Sequence, residues 1–188
     1  MTTIATPTRY RLTTTAFHAM AQIGVFPEDA RVELIDGDLI EMPAIGSRHA
    51  AMVSRLVRWF IPRLGDRAIV SPQNPIVLGN YSQPQPDICL LRPQADFYDD
   101  RLPAAADVLL LIEVADSTLA YDRDEKLLLY ARHGIAEAWL VDLQGSRLIA
   151  YRGAGAAGYG ERLELQVDTR LAPLAFPDLA IGLVDLGF

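Results

Sequence analysis

Two carboxylates and one lysine lie at the ends of predicted buried elements, in an arrangement that suits metal-dependent hydrolysis. Glu113 interrupts a continuous apolar run, where an ionised side chain is costly unless it is paired, protonated or bound to a metal. Asp87 opens an earlier apolar run, and Lys126 follows in the next predicted helix. If the two runs form neighbouring strands, both carboxylates converge at one end of a sheet.

Such a pair of carboxylates favours Mg²⁺. Asp87, Glu113, the backbone carbonyl of Val114 and water molecules would supply the octahedral oxygen ligands that this cation prefers. The cation would neutralise the buried charges and lower the pKa of a bound water. The ammonium of Lys126 could position that water or stabilise charge that develops on a phosphate.

The same residues belong to a longer pattern that resembles a known family. The pattern consists of Val32-Glu33-Leu-Ile-Asp-Gly37, His49, Pro86-Asp87, Glu113-Val114, Asp122-x-x-x-Lys126, Tyr130-Ala131 and Gly134-Ile-x-Glu-x-Trp139. Over most of the chain it resembles the putative restriction endonuclease family. That family is widespread in bacteria, especially cyanobacteria, and belongs to the PD-(D/E)XK nuclease superfamily.

The resemblance implies both a fold and an activity. The expected fold is α/β, a restriction-endonuclease-like mixed β-sheet flanked by helices, with an N-terminal hairpin. The expected activity is hydrolysis of DNA phosphodiester bonds by a homodimer that depends on Mg²⁺, with Mn²⁺ as a substitute. By resemblance, Asp87 and Glu113 bind the cation and Lys126 assists hydrolysis.

One position departs from the superfamily pattern. The lysine expected two residues after Glu113 is replaced by Ala115, and the family places it on the following helix, at Lys126. Glu33 and His49 also match family positions near the site, where Glu33 could add a contact to metal or water. Taken alone, His49 is typical of a local packing or hydrogen-bonding residue in a helix's first turn, and Glu33 of an exposed strand residue.

The three principal residues also have structural interpretations. Asp87 could cap a turn after Pro86, and Glu113 could pair with an arginine or lysine. Lys126 could be a solvated helix residue that pairs with Asp122 one turn earlier.

Sequence periodicity predicts the elements that position these residues. Asp-Gly at 36–37 predicts a tight hairpin over 31–42. Ser47 is a candidate N-cap for the second helix, and Asp122 with Glu125 resembles a capping box that opens the third. Helices are predicted over 13–23, 47–63 and 122–133, strand-like runs at 68–70, 75–78, 87–91, 108–115, 137–142, 147–151 and 162–167, and an apolar tail from 171 that packs on the sheet.

Length, composition and charge limit the class of protein. The 188 residues predict one domain, 1–188, with 1–12 as a disordered lead. The single cysteine, Cys89, excludes an internal disulfide and a multi-thiolate zinc site. The absence of a signal peptide pattern and of a long apolar run predicts a cytoplasmic location.

A net charge of −7 argues against broad, sequence-independent attachment to nucleic acid. The second helix nevertheless carries Arg48, Arg55, Arg58 and Arg63, which could face phosphates or form an ordinary solvated surface. Two other functions therefore stay open beside the nuclease. They are a non-catalytic, DNA-associated or regulatory protein on a nuclease-derived fold, and a metal-dependent hydrolase of a small phosphoester.

Overall fold

The computed structural model describes residues 8–188, which contain a six-stranded mixed sheet and a separate hairpin. The strands are β1 (Val32–Ile35), β2 (Asp38–Glu41), β3 (Ile69–Pro72), β4 (Ile88–Leu91), β5 (Val108–Ala115), β6 (Glu137–Asp142), β7 (Arg147–Gly155) and β8 (Gly158–Glu164). The large sheet has the order β3-β4-β5-β6-β7-β8, and β1 pairs with β2. Neighbouring strands are antiparallel except for β5 and β6, which are parallel.

Five α-helical segments accompany the strands. They are α1 (Thr14–Gln22), α2 (Ser47–Leu64), α3 (Leu119–Tyr121), α4 (Leu127–Arg132) and α5 (Leu183–Leu186). A π-helical turn, Asp122–Lys126, joins α3 to α4. The predicted α/β class, mixed sheet, flanking helices and N-terminal hairpin are confirmed.

Strand β5 is the centre of the domain and separates two apolar layers. Side chains alternate between the faces of a strand, so Leu110, Ile112 and Val114 face the layer that contains α2 and the C-terminal tail. Leu111 and Ala115 face the layer that contains α4. Glu113 lies between these last two residues and therefore points towards α4.

The hairpin turn follows from the Asp-Gly pair. Asp36 and Gly37 both have positive φ, 50° and 90°, as a tight two-residue turn requires. The backbone N–H of Leu12 donates to the Gly37 carbonyl, and the Arg11 side chain donates to the Asp36 carbonyl. Residues 1–7 of the predicted disordered lead lie outside the described residues, whereas this later part of it is bound to the hairpin.

The ends of α1 and α2 differ in how well the sequence predicts them. Thr13 caps α1, because its side chain accepts a hydrogen bond from the Ala16 N–H. The N-cap of α2 is Gly46, which has no side chain, so the prediction of Ser47 is wrong by one residue. Helix α2 continues through Pro62 and ends before Gly65, which has a positive φ of 52°.

Two other predicted elements are corrected. The helical segment after β5 begins at Leu119, so Asp122 lies inside it and is no part of a capping box. The run 75–78 is not a strand, and Val77 forms only an isolated bridge to Ala104. Its residues Ile76 and Leu78 are nevertheless buried, which explains the strand-like pattern.

The remaining assignments concern the core and the tail. Cys89 and Trp139 are buried. The tail residues Phe176, Ile181 and Leu186 pack in the same apolar layer as α2. No helix within residues 8–188 is long and apolar enough to cross a membrane.

Candidate functional site

A buried lysine lies between two buried carboxylates on the α4 side of the sheet. The Nζ atom of Lys126 is 2.9 Å from Oε1 of Glu113 and 3.2 Å from Oε1 of Glu33. All three side chains are at most 3% exposed. Tyr130, one helical turn after Lys126, donates its hydroxyl to the same Oε1 of Glu113. The π-helical turn therefore carries Lys126 to Glu113, and π-turns are frequent at functional sites.

Asp87 lies beside this cluster because β4 and β5 are paired. Ile88 is opposite Ile112, so the next residue on each strand, Asp87 and Glu113, meets at the same end of the sheet. The Asp87 backbone N–H donates weakly to Oε2 of Glu113, at 3.4 Å. The Val114 N–H donates to Oδ2 of Asp87 at 2.9 Å.

His49 forms the other side of Asp87. Its Nε2 atom is 2.9 Å from Oδ1 of Asp87, and its side chain is 14% exposed. The first turn of α2 positions it there. Its Nδ1 atom is buried and has no hydrogen-bond partner in the described part of the chain.

A cleft of about 190 Å³ lies in front of this cluster. Its wall includes Glu33, Asp87, Lys126 and Asp122, and the Asp122 carboxylate accepts a hydrogen bond from Thr118 at 2.6 Å. Negative charge exceeds positive charge at this wall. The cleft therefore attracts cations.

Burial and the surplus of carboxylates shift the pKa values of the cluster. Burial raises the pKa of Glu113 to about 8; Lys126 opposes this shift, and the Asp122, Asp87 and Glu33 carboxylates add to it. Burial likewise raises the pKa of Asp122. Burial alone would lower the pKa of Lys126, but the Glu113, Glu33 and Asp122 carboxylates outweigh it and raise that pKa. The cluster therefore favours an added positive charge, either a proton or a metal cation.

Buried carboxylates outside the cleft differ from this cluster in their partners. Glu137 pairs with Arg152 at 2.8 Å and also accepts a hydrogen bond from Trp139. Asp142 pairs with Arg147. Each has its own arginine, whereas Glu33 and Glu113 share one lysine.

The donor chemistry of the cleft fits a hard cation such as Mg²⁺. Oε2 of Glu33 is a buried carboxylate oxygen that has no hydrogen-bond partner within residues 8–188. No three His, Cys, Asp or Glu side chains of this range already converge as a ligand set. Asp87 and Glu113 instead bind protein donors, which a cation would have to replace in part.

The structure brings together all the residues that the sequence singled out. Asp87, Lys126, Glu33, His49 and Val114 line one cleft. Glu113 lies behind its wall, in contact with Lys126 and with the backbone of Asp87. The prediction that the Val114 carbonyl binds a cation stays a prediction. The alternative positions of Lys126 and Glu33 as solvated residues are wrong, because both side chains are 2% exposed.

Two contacts were missed at the level of sequence. Tyr130 belongs to the quoted pattern, but its spacing alone gives no sign that it binds Glu113. The second is the pairing of Lys126 with both Glu33 and Glu113. The composition singles this residue out, because it is the only lysine in a chain with sixteen arginines. A lysine ammonium is a compact point charge with three donors, which suits a position between two carboxylates.

Tyr130→Phe is expected to weaken binding of a divalent cation by about 10-fold, because an outer hydrogen bond that orients a ligand is typically worth 10–100-fold in metal affinity. The affinity is measured by calorimetry. The matched control is Tyr159→Phe, which removes a hydroxyl that donates to the Ile135 carbonyl away from the cleft. Equal affinities in the two variants would show that Tyr130 does not orient Glu113.

Comparison with known proteins gives a family and a fold. A family model, Uma2, described as "Putative restriction endonuclease", matches residues 15–184. A solved structure described as a putative nuclease from Anabaena variabilis ATCC 29413 aligns with a TM-score of 0.68 and 19% sequence identity. The alignment covers 89% of this chain and 96% of that one, and at this identity the likeness concerns the fold. No curated protein matches the chain.

Proposed function

The chain belongs to the putative restriction endonuclease family, and from that premise we propose that it is a Mg²⁺-dependent endonuclease that hydrolyses DNA phosphodiester bonds at the cleft. The observation that carries this proposal is the meeting of Asp87, Glu113 and Lys126 at one end of the sheet. This is the residue set that the PD-(D/E)XK pattern requires, with the lysine supplied by the helical segment after β5.

Each residue has a role that follows from its position. Asp87 and Glu113 would hold Mg²⁺ (or Mn²⁺ in its place), together with the Val114 carbonyl. The bound cation would supply Lewis-acid activation of water and of a phosphate oxygen. Lys126 lies in the cleft wall, where its ammonium stabilises the negative charge of a phosphate.

Glu33 and His49 supply the remaining polar atoms. The unpartnered Oε2 of Glu33 is free to accept a hydrogen bond from the attacking water. His49 donates to Asp87 and so fixes the orientation of that carboxylate. Both are therefore positioning groups in the proposed reaction.

The size of the cleft favours a polymer over a small substrate. Sites for small molecules usually enclose about 300–1,000 Å³, whereas this cleft measures about 190 Å³. It accommodates the reacting phosphate group and leaves the rest of the substrate outside. This supports DNA as the substrate over a free phosphoester. The proposal includes a homodimer, which is implied by the superfamily's habit of cutting two strands.

The first experiment is a calorimetric titration of the metal-free protein with Mg²⁺ and Mn²⁺, with and without duplex DNA. Saturable binding is expected in the wild type and is expected to be lost in Asp87→Ala and Glu113→Ala. Asp116→Ala is the control, because Asp116 also lines the cleft but lies outside the predicted ligand set. Cleavage of labelled DNA should follow the same order of variants and stop in EDTA.

Two results would sink the proposal. One is the absence of binding under both conditions while all variants stay folded. The other is binding that Asp87→Ala and Glu113→Ala leave unchanged.

One observation favours a second candidate, a non-catalytic DNA-associated or regulatory protein on this fold. Both predicted ligands already bind protein donors, His49 and the Val114 N–H for Asp87, and Lys126 and Tyr130 for Glu113. This candidate predicts DNA binding that neither divalent cations nor EDTA alter, and no cleavage.

A further inference from the structure

Helix α2 presents a surface of positive charge. It contains Arg48, Arg55, Arg58 and Arg63 and no acidic residue, although the whole chain has a net charge of −7. All four side chains are exposed. We call this surface the arginine face.

The arginines of this face differ from most others in the protein. Eleven of the sixteen arginines lie within 4.0 Å of a carboxylate oxygen in the described chain. Of the four arginines of the arginine face, only Arg48 is among these eleven. Three of the remaining five lie on α2, and a fourth lines the cleft. Unpaired arginines therefore concentrate at the cleft and along one helix. The five are Arg31, Arg55, Arg58, Arg63 and Arg92.

Arg55 and Arg63 bind backbone carbonyls, which do not neutralise the positive charge of the two guanidinium groups. Arg55 donates to the Leu186 carbonyl, and Arg63 donates to the carbonyl of Trp59, over whose ring its guanidinium also lies. These contacts hold the guanidinium groups in position without neutralising them. Arginine in a fixed orientation is well suited to phosphate, which it can bind through two parallel hydrogen bonds.

The arginine face begins at the cleft. Gly46 and His49, at the start of α2, line the cleft itself. Arg48 and Arg55 line the next groove along the helix, and Arg55, Arg58 and Arg63 line the one after it. From Arg48 to Arg63 the helix rises about 22 Å, which matches the rise of about six base pairs along the axis of a DNA duplex.

We infer that the arginine face binds the sugar-phosphate backbone of duplex DNA and leads it into the cleft. This inference rests on the proposed function, because it takes the substrate from it. It also explains how an acidic protein can engage DNA. The acidic remainder repels DNA from other surfaces, so that the duplex approaches along α2.

The test compares two double variants that remove the same net charge. Arg58→Gln/Arg63→Gln changes the arginine face, and Arg123→Gln/Arg162→Gln changes two exposed arginines that each pair with a neighbouring acid. Affinity for a labelled DNA duplex is measured by fluorescence anisotropy in EDTA, at several salt concentrations. The first variant is expected to bind at least about 10-fold more weakly and to lose nearly two units of the salt slope, since each phosphate contact contributes about 0.9. The second is expected to bind like the wild type.

Folding is separated from binding by a single variant. Arg58→Gln removes no hydrogen bond or ion pair in residues 8–188, so it should keep the wild-type melting temperature and lose about one unit of salt slope. An unchanged slope in both α2 variants, or the same loss in the control pair, would overturn the inference.

Failure of the inference and failure of the proposed function give different results. If the protein cleaves DNA and the α2 variants cleave it with unchanged affinity, only the arginine face is refuted. If arginine-dependent binding is found but no cation binds and no DNA is cut, the arginine face stands and the nuclease proposal fails.

Discussion

Lys126→Met is expected to lower the free energy of unfolding of the metal-free protein by about 3–5 kcal/mol, the usual cost of removing one partner from a buried ion pair. The substitution keeps the length of the side chain but leaves the Glu113 and Glu33 carboxylates without their shared cation. Chemical denaturation measures the loss. Any DNA cleavage should fall by about 10²–10³-fold, since a group that stabilises developing charge is removed.

The same variant should depend on pH in a definite direction. Burial already raises the pKa of Glu113, and removal of Lys126 raises it further. When a carboxyl group has a higher pKa in the folded state than in the unfolded state, the protein loses stability as pH rises above the pKa of the unfolded state. The destabilisation is therefore expected to be larger at pH 8 than at pH 5.

The control for Lys126→Met is Arg123→Met in the same π-helical turn. Arg123 is exposed and pairs only with its neighbour Asp124, so a change below about 1 kcal/mol is expected. If Lys126→Met were as stable as this control at both pH values, the buried ion pairs would contribute nothing. The cluster would then be neutral or solvated, contrary to the geometry described above.

Glu113→Gln is expected to have the opposite effect on stability and to lower the affinity for a divalent cation by more than about 100-fold, beyond the loss from an outer-shell partner. The amide can still accept hydrogen bonds from Tyr130 and Lys126. It removes a buried charge from a cluster that has too many carboxylates. The metal-free variant should therefore be more stable than the wild type at pH 8, by an amount on the order of 1–3 kcal/mol.

The sign follows from the pKa of Glu113, which burial raises from 4.5 to about 8. Between these values the folded protein holds a proton that the unfolded chain releases, so wild-type stability falls as pH rises through this window. The amide that replaces the carboxyl group in the variant cannot ionise, and the advantage of the variant should grow from pH 5 to pH 8. Denaturation curves at both pH values measure it.

Glu137→Gln is the matched control, because Glu137 is equally buried but pairs with its own arginine, Arg152. This variant leaves Arg152 without its carboxylate partner and should be destabilised at pH 8. If Glu113→Gln were destabilised in the same way, Glu113 would be a structural ion-pair residue. If it bound Mg²⁺ as tightly as the wild type, the cation site would lie elsewhere.

Much of the fold could be predicted from local sequence. The Asp-Gly pair determines the hairpin turn, and the apolar run with one carboxylate correctly predicts the central strand. The proximity of Asp87 and Glu113 follows once β4 and β5 are taken as neighbours. These features depend on contacts between residues that are close in sequence or in adjacent strands.

Other features depend on tertiary contacts that leave little trace in the sequence. The π-helical turn moves the start of the helical segment to Leu119, and no pattern of apolar residues distinguishes it from an ordinary turn. Glu33 is buried only because the hairpin packs against the helical segment that carries Lys126. The buried residues at 75–78 show that an apolar run reports burial and not necessarily a strand.

Because Lys126 is the only lysine of the chain, its side chain is a built-in spectroscopic probe of the cleft. Protein grown with lysine that carries ¹³C only at Cε should give one lysine signal in an NMR spectrum, and that signal comes from the carbon bonded to the ammonium between Glu33 and Glu113. A cation that binds to Glu113, or a phosphate that enters the cleft, would shift it without any substitution in the protein. Each state of the site can thus be followed by one resonance in an otherwise silent spectrum.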